Sequence, residues 1–112
     1  MNIEARRPQL DRRQLLSALR SFKRGDFSVR IATDYEGIDA QVAETFNEIV
    51  DMNDQLTREL ERLSKVVGKD GRIGERGHLR NATGGWESSV RSVNDLIEDM
   101  AVSYTHLTLP TN

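Results

Sequence analysis

Between positions 42 and 67 the apolar residues recur at alternating steps of four and three. They are Val42, Phe46, Ile49, Leu56, Leu60, Leu63 and Val67, and Asn53 takes the one polar place in the series. The period is 3.5, so Phe46, Asn53, Leu60 and Val67 are a positions of a heptad helix, and Val42, Ile49, Leu56 and Leu63 are d positions. Glu, Asp, Gln, Lys and Arg dominate the other positions, and neither Gly nor Pro interrupts the run. At ~1.5 Å per residue this is a rod of roughly 40 Å. One narrow stripe on so long a rod does not make a broad globular core. It makes a seam for partner helices.

Shorter patterns flank the rod. Leu15, Leu16, Leu19 and Phe22 form an apolar stripe at helical spacing. Asp11 followed by Gln14 is a capping-box pattern, and Leu10 with Leu15 has the spacing of a hydrophobic staple. Lys23 and Arg24 suit the negative end of a helix dipole, and Gly25 suits a left-handed cap. These signals predict a helix over 11–24. Phe27, Val29 and Ile31 then alternate with Ser28 and Arg30 as a strand would. A lone strand has no partner here, so the apolar residues are read as pegs that hold an extended connector against helices. Glu36 and Gly37 lead into the rod, with Asp39 in its first turn. A connector of this length allows the two helices to run parallel.

The arrangement is repeated. Gly68 ends the rod, and Gly68, Gly71, Gly74 and Gly77 fall at every third place. A phosphate-binding loop would need Gly-x-x-x-x-Gly-Lys-Ser/Thr after a strand, and neither is present. A second connector fits better. Lys23, Arg24, Gly25, Asp26 and Phe27 are echoed 46 residues on by Lys69, Asp70, Gly71, Arg72 and Ile73. Phe46, Asn47, Glu48, Ile49 and Val50 are echoed 47 on by Val93, Asn94, Asp95, Leu96 and Ile97. Gly84 and Gly85 open a last helix with the stripe Trp86, Val90, Val93, Ile97 and Met100. Helix, connector, helix thus occurs twice, and the end of the rod serves as the first helix of the second copy. The expected divisions are a disordered lead-in at 1–9, a first unit at 10–58, a second at 59–101, and a tail at 102–112. The tail has no heptad, carries Pro110, and resembles the in-frame translation of a transposase adapter used in sequencing libraries. It is read as non-native, with the natural frame cut short at Ala101.

Composition narrows the class. With 5% aromatic and 30% charged residues, the chain suits helical bundles better than a β-sandwich or barrel. It has no cysteine, hence no disulfide framework, and a reducing, cytoplasmic setting is expected. No apolar run approaches the ~20 residues of a membrane span, and the polar, basic start lacks the apolar core of a signal peptide. Charge is uneven: residues 1–30 hold eight Lys or Arg against three acids, and 31–61 hold one against nine. No aromatic or Gly-rich nucleic-acid motif accompanies the basic end. It is read as a solvated tail and a basic helix with an acidic partner in the bundle, and no nucleic acid is expected.

The order of these signals resembles a HAMP domain. The residues that carry the resemblance are Leu15, Leu19 and Phe22, then Gly25, Asp26, Val29 and Ile31, then Glu36, Gly37, Phe46 and Asn47. Residues 10–67 carry it well. Residues 56–101 resemble the divergent second type that alternates with the first in poly-HAMP arrays, found in the N-terminal part of hybrid sensor histidine kinases. The resemblance implies an all-α fold: a parallel, homodimeric, coiled-coil four-helix bundle of two consecutive units sharing one long helix. It implies relay of conformational signals in a two-component phosphorelay, with further HAMP repeats and a kinase domain as neighbours in a longer chain. Other readings are a chemoreceptor-type relay and a static dimerisation coiled coil. The second copy departs from the pattern, with Gly71 and Arg72 where the first has Gly25 and Asp26, so its connector is expected to pack differently.

No catalytic, cofactor or metal constellation emerges, and no enzyme activity is expected of this segment. His78 is followed by Leu79 and Arg80 inside a Gly-rich loop, unlike a phospho-accepting histidine on a helix. The expected signalling core and connector comprise Leu15, Leu19, Phe22, Gly25, Asp26, Val29, Ile31, Glu36, Gly37, Phe46, Ile49, Asn53, Leu56, Trp86 and Val93. Trp86 is read as core rather than as a ligand box. Asn53, a polar a residue, is read as a register device that permits switching between packings.

Overall fold

The computed structural model describes residues 9–108, with side chains as far as Ser103. Most of the expected lead-in and the end of the tail lie outside the described residues. The described residues form three α-helices and a π-helical turn, without a strand: α1 Arg12–Lys23, α2 Gly37–Leu63, a π turn Ser64–Lys69, and α3 Gly84–Thr108. The alternation from Phe27 to Ile31 therefore belongs to an extended connector. The chain divides into two compact units, Met1–Asp54 and Gln55–Asn112.

Local chemistry sets the helix ends. Asp11 caps α1 by accepting from the Arg13 backbone N–H at 2.9 Å. This is the second helical position, whereas a capping box uses the third. Leu10 and Leu15 pack on the same core cluster. Gly25, just past α1, has φ +94°, and Gly71, just past the π turn, has φ +71°. Left-handed backbone at these places favours Gly, which carries no Cβ to clash. Both second helices also open on left-handed glycines, Gly37 at +61° and Gly84 at +54°.

Two features differ from the sequence expectation. The rod is not α-helical to Val67, because π geometry begins at Ser64. The last helix, α3, continues past Ala101 to Thr108. Residues 102–108 contain neither Gly nor Pro, so extending an existing helix costs little once it is nucleated.

Candidate functional site

In the first unit Ala18, Ile31, Ala43, Phe46 and Val50 form the buried cluster. Three segments contribute: α1 supplies Ala18, the connector supplies Ile31, and α2 supplies the rest. Phe22 stacks its edge toward Phe46 at a centroid distance of 6.2 Å and lies 5.6 Å from Phe27. Phe27, Val29 and Tyr35 also pack on the cluster. The connector is therefore held by side chains pointing in, as pegs.

It is also held by polar groups. Asn47 on α2 grips Ile31 at both backbone atoms. Its Oδ1 accepts from the Ile31 N–H at 2.9 Å, and its Nδ2 donates to the Ile31 carbonyl at 2.8 Å. An extended segment has no ladder of its own, so its inward backbone groups need such partners. Next to it, Arg30 donates to the carbonyls of Phe27 and Val29, and its other nitrogen reaches Asp51 at 2.7 Å. At the connector's start the Asp26 carboxylate accepts from the Ser28 hydroxyl at 2.5 Å and the Ser28 N–H at 3.0 Å. These bonds, the hydroxyl's foremost, lower the Asp26 pKa. Asp39, in the first turn of α2, accepts from the Leu10 N–H at 3.0 Å.

The second unit repeats this clamp group for group. Asn94 on α3 accepts from the Gly77 N–H at 2.6 Å and donates to the Gly77 carbonyl at 3.0 Å. Arg76 donates to the carbonyls of Ile73 and Glu75, and pairs with Glu98. Arg30, Ile31, Asn47 and Asp51 thus correspond to Arg76, Gly77, Asn94 and Glu98. Despite Arg72 in place of an aspartate, the second connector is clamped as the first is.

What differs is the filling. Ile31 packs in one cluster with the small Ala18. Its counterpart Gly77 has no side chain, and a Cβ there would sit 2.9 Å from Leu63 Cδ1. Leu63 is buried with Val67 and Ile97, and Val66 and Val93 pack against them. Large connector residue with small helix residue becomes small connector residue with large helix residue. The second unit also has a further anchor, at Glu59. Glu59 accepts from Arg62 Nε at 2.8 Å and Nη2 at 3.1 Å, and from the His78 backbone N–H at 2.5 Å. Arg62 reaches on to the Arg76 carbonyl at 2.9 Å. The Arg62 bonds, then the His78 N–H, hold the Glu59 pKa below its ordinary value against the opposing effect of partial burial.

The remaining heptad positions are open. Leu15, Leu19, Ile38, Val42, Phe46 and Ile49 line an apolar groove of about 440 Å³ in the first unit. Ile38 is 70% exposed, Ile49 45%, Leu19 44% and Val42 37%. Phe46 alone among the expected seam residues of this unit is buried within the chain. Asn53 is half-buried and donates to the Ile49 carbonyl on its own helix at 2.9 Å. Leu56, Trp86 and Val93 are half-buried, and Glu36 is exposed.

The sequence reading passed over Ala18, Ala43 and Val50, although Val50 and Ala43 are fully buried. Ala43, Phe46 and Val50 make a second stripe beside the heptad, sharing Phe46 with it. That three–four spacing was the available signal. Arg30 and Arg76 were also passed over, and extending the echo from Gly25 and Gly71 by five residues reaches them. No helix among the described residues is long and apolar enough to cross a membrane. No family model matches the chain, and no solved structure matches it.

Proposed function

We propose that residues 10–101 are a tandem HAMP-type relay that transmits conformational change through a parallel homodimer. The observation that carries this reading is the repeated clamp. Twice, a helix ends on a left-handed glycine, and twice Arg and Asn fix the following connector to a second helix. A static coiled coil needs no connector, and still less two secured by the same groups. The open seam supports the dimer. An apolar face this continuous is best covered, and a symmetric partner presents the same face. In a parallel pair the α1 and α2 stripes of two chains close a four-helix core.

In this reading the relay acts in the cytoplasm as part of a two-component sensor histidine kinase, the kinase core lying elsewhere in the polypeptide. Signal passes when the helices shift between two packings of similar free energy. Asn53 keeps the seam from being optimised for one of them. Replacing it with Leu adds apolar burial of roughly 1–2 kcal/mol per chain and favours a single packing.

The test fuses residues 10–101 to a histidine-kinase core, with zero to seven residues inserted at the junction. A dimeric helical relay makes autophosphorylation rise and fall with a period of ~3.6 residues, the phase being most closely restored at an insert of about seven, because each residue rotates the output helix by ~100°. Activity independent of insert length contradicts the relay and leaves a tether.

A further inference from the structure

We propose that Gly68 is an inserted residue that the π turn absorbs, and that this turn is the point at which the second unit can release its connector. The inference does not depend on dimerisation or on the relay reading. It rests on a change of phase between the two copies. Before the turn, equivalent residues lie 45 apart: Ala18 and Leu63 are the buried helix residues, and Phe22 and Val67 follow four later. After it they lie 46 apart, as with Gly25 and Gly71, or Arg30 and Arg76. One residue enters between Val67 and Gly71.

The capping hydrogen bonds locate it. At the end of α1 the Arg24 N–H donates to the Arg20 carbonyl at 3.1 Å, four residues back. The matching bond runs from the Asp70 N–H to the Lys65 carbonyl at 3.0 Å, five back. Likewise Asp26 donates to Ser21, five back at 3.0 Å, and Arg72 to Val66, six back at 2.9 Å. Both of these matched bonds span one residue more in the second copy. Aligning Phe22 with Val67 and Lys23 with Lys69 leaves Gly68 without a counterpart. Its site is open, with nothing within 4 Å of where a Cβ would stand.

A one-residue insertion in an α-helix is accommodated as a π turn, which widens one turn and keeps the flanking helix faces in phase. Here the widened turn keeps Leu63 and Val67 inward while Gly71 still starts the connector in register for Asn94. If the segment relaxes to α geometry, everything beyond it rotates by ~100° and advances by ~1.5 Å. Gly77 then leaves Asn94, and Arg76 leaves Glu98. The first unit, with no extra residue, has no such alternative. The second connector is thus the one built to let go.

The experiment is amide hydrogen exchange on the full chain, following the Ile31 and Gly77 N–H groups held by Asn47 and Asn94. In the native sequence Gly77 should exchange faster than Ile31. Deleting Gly68 recreates the spacing of the first unit, so Gly77 should stay protected and slow roughly tenfold, as local opening governs such rates. Deleting Glu61 shortens the chain equally but turns Glu59 away from His78, and Gly77 should lose protection. Gly68→Ala, which fits the open site, should leave the register unchanged. If Gly77 loses protection on deletion of Gly68 while Gly68→Ala keeps it, or if deletion leaves the Gly77 rate unchanged, the proposal is overturned.

Discussion

The two units solve one problem with different materials. Each must hold an extended connector across a pair of helices. The polar solution is shared: an asparagine takes both backbone groups of one connector residue, and the arginine before it reaches a carboxylate one helical turn beyond the asparagine. The apolar solution is exchanged. Ile31 with Ala18 in the first unit becomes Gly77 with Leu63 in the second. Polar groups keep their places because hydrogen bonds demand fixed geometry. Apolar volume moves between neighbours because packing asks only that space be filled. The units also differ in what they leave uncovered. The first carries an apolar groove lined by Leu15, Leu19, Val42 and Ile49, while the second leaves Leu60, Leu96 and Met100 exposed and ties its connector to α2 through Glu59 and Arg62.

The largest expected effect comes from the shared element. Asn47→Ala leaves the Ile31 N–H and carbonyl without their partners, and Asn94→Ala does the same at Gly77. At ~1–3 kcal/mol for an unsatisfied buried group, each variant should lose about 2–3 kcal/mol in chemical denaturation, partial solvent access keeping it from the full sum. If one loses that much and the other nothing, the two clamps are not equivalent.

The exchanged volume gives the next effect. Ala18→Leu should overpack the first unit by ~1–3 kcal/mol, and adding Ile31→Ala should recover part of it. Gly77→Ala should clash with Leu63, and Leu63→Ala should relieve the clash. A favourable coupling in both double-mutant cycles supports the size exchange. Strict additivity in both would mean that helix and connector residues fill separate spaces.

Why the helices were readable and the clamp was not follows from the kind of signal each leaves. Asp11, Gly25, Gly37 and Gly84 mark ends through local backbone chemistry, and the heptad marks α2 through periodicity. Asn47 and Arg30 act on residues 16 and 21 positions away, and no period announces a polar residue's distant partner. The buried Val50 was hidden differently. A helix with two apolar stripes, one facing its own connector and one left open, reads as a single heptad when only the regular stripe is followed. The π turn shows in sequence only as the step from a 45- to a 46-residue echo, which needs Ala18 and Leu63 to be recognised as equivalents. Asn53 was legible as an interruption of the stripe, but its bond to the Ile49 carbonyl was not.

A smaller effect separates the units by pH. Because the Glu59 pKa is lowered in the folded chain, its anchor contributes fully above the ordinary value of 4.5 and is lost as pH falls through the depressed one. Acidification below that range should therefore loosen the second unit, seen as faster exchange of the Gly77 N–H. Glu59→Gln should flatten this dependence. An unchanged acid profile in the variant would assign the loss to other carboxylates. The smallest effect is expected at the end of the chain. Removing residues 102–112 should shift the melting temperature little, since Val102 is 61% exposed and terminal segments without packing contribute little. A large loss would mean that the segment is docked.

The central claim is that the open stripe of the first unit closes on the same stripe of a second, parallel chain. The protein has no cysteine, so single cysteines report without interference. Placed at Val42, Ile49 or Glu44 and oxidised mildly at low concentration, they read out which positions meet their own copies. A parallel pair points identical seam residues toward one another across its axis, so that the small motions of the bundle bring their thiols within reach of a disulfide. Val42→Cys and Ile49→Cys should form dimers rapidly, and Glu44→Cys, on the exposed side, should not. Crosslinking at Glu44 alone, or a chain that stays monomeric with both seam cysteines reduced, would contradict the account.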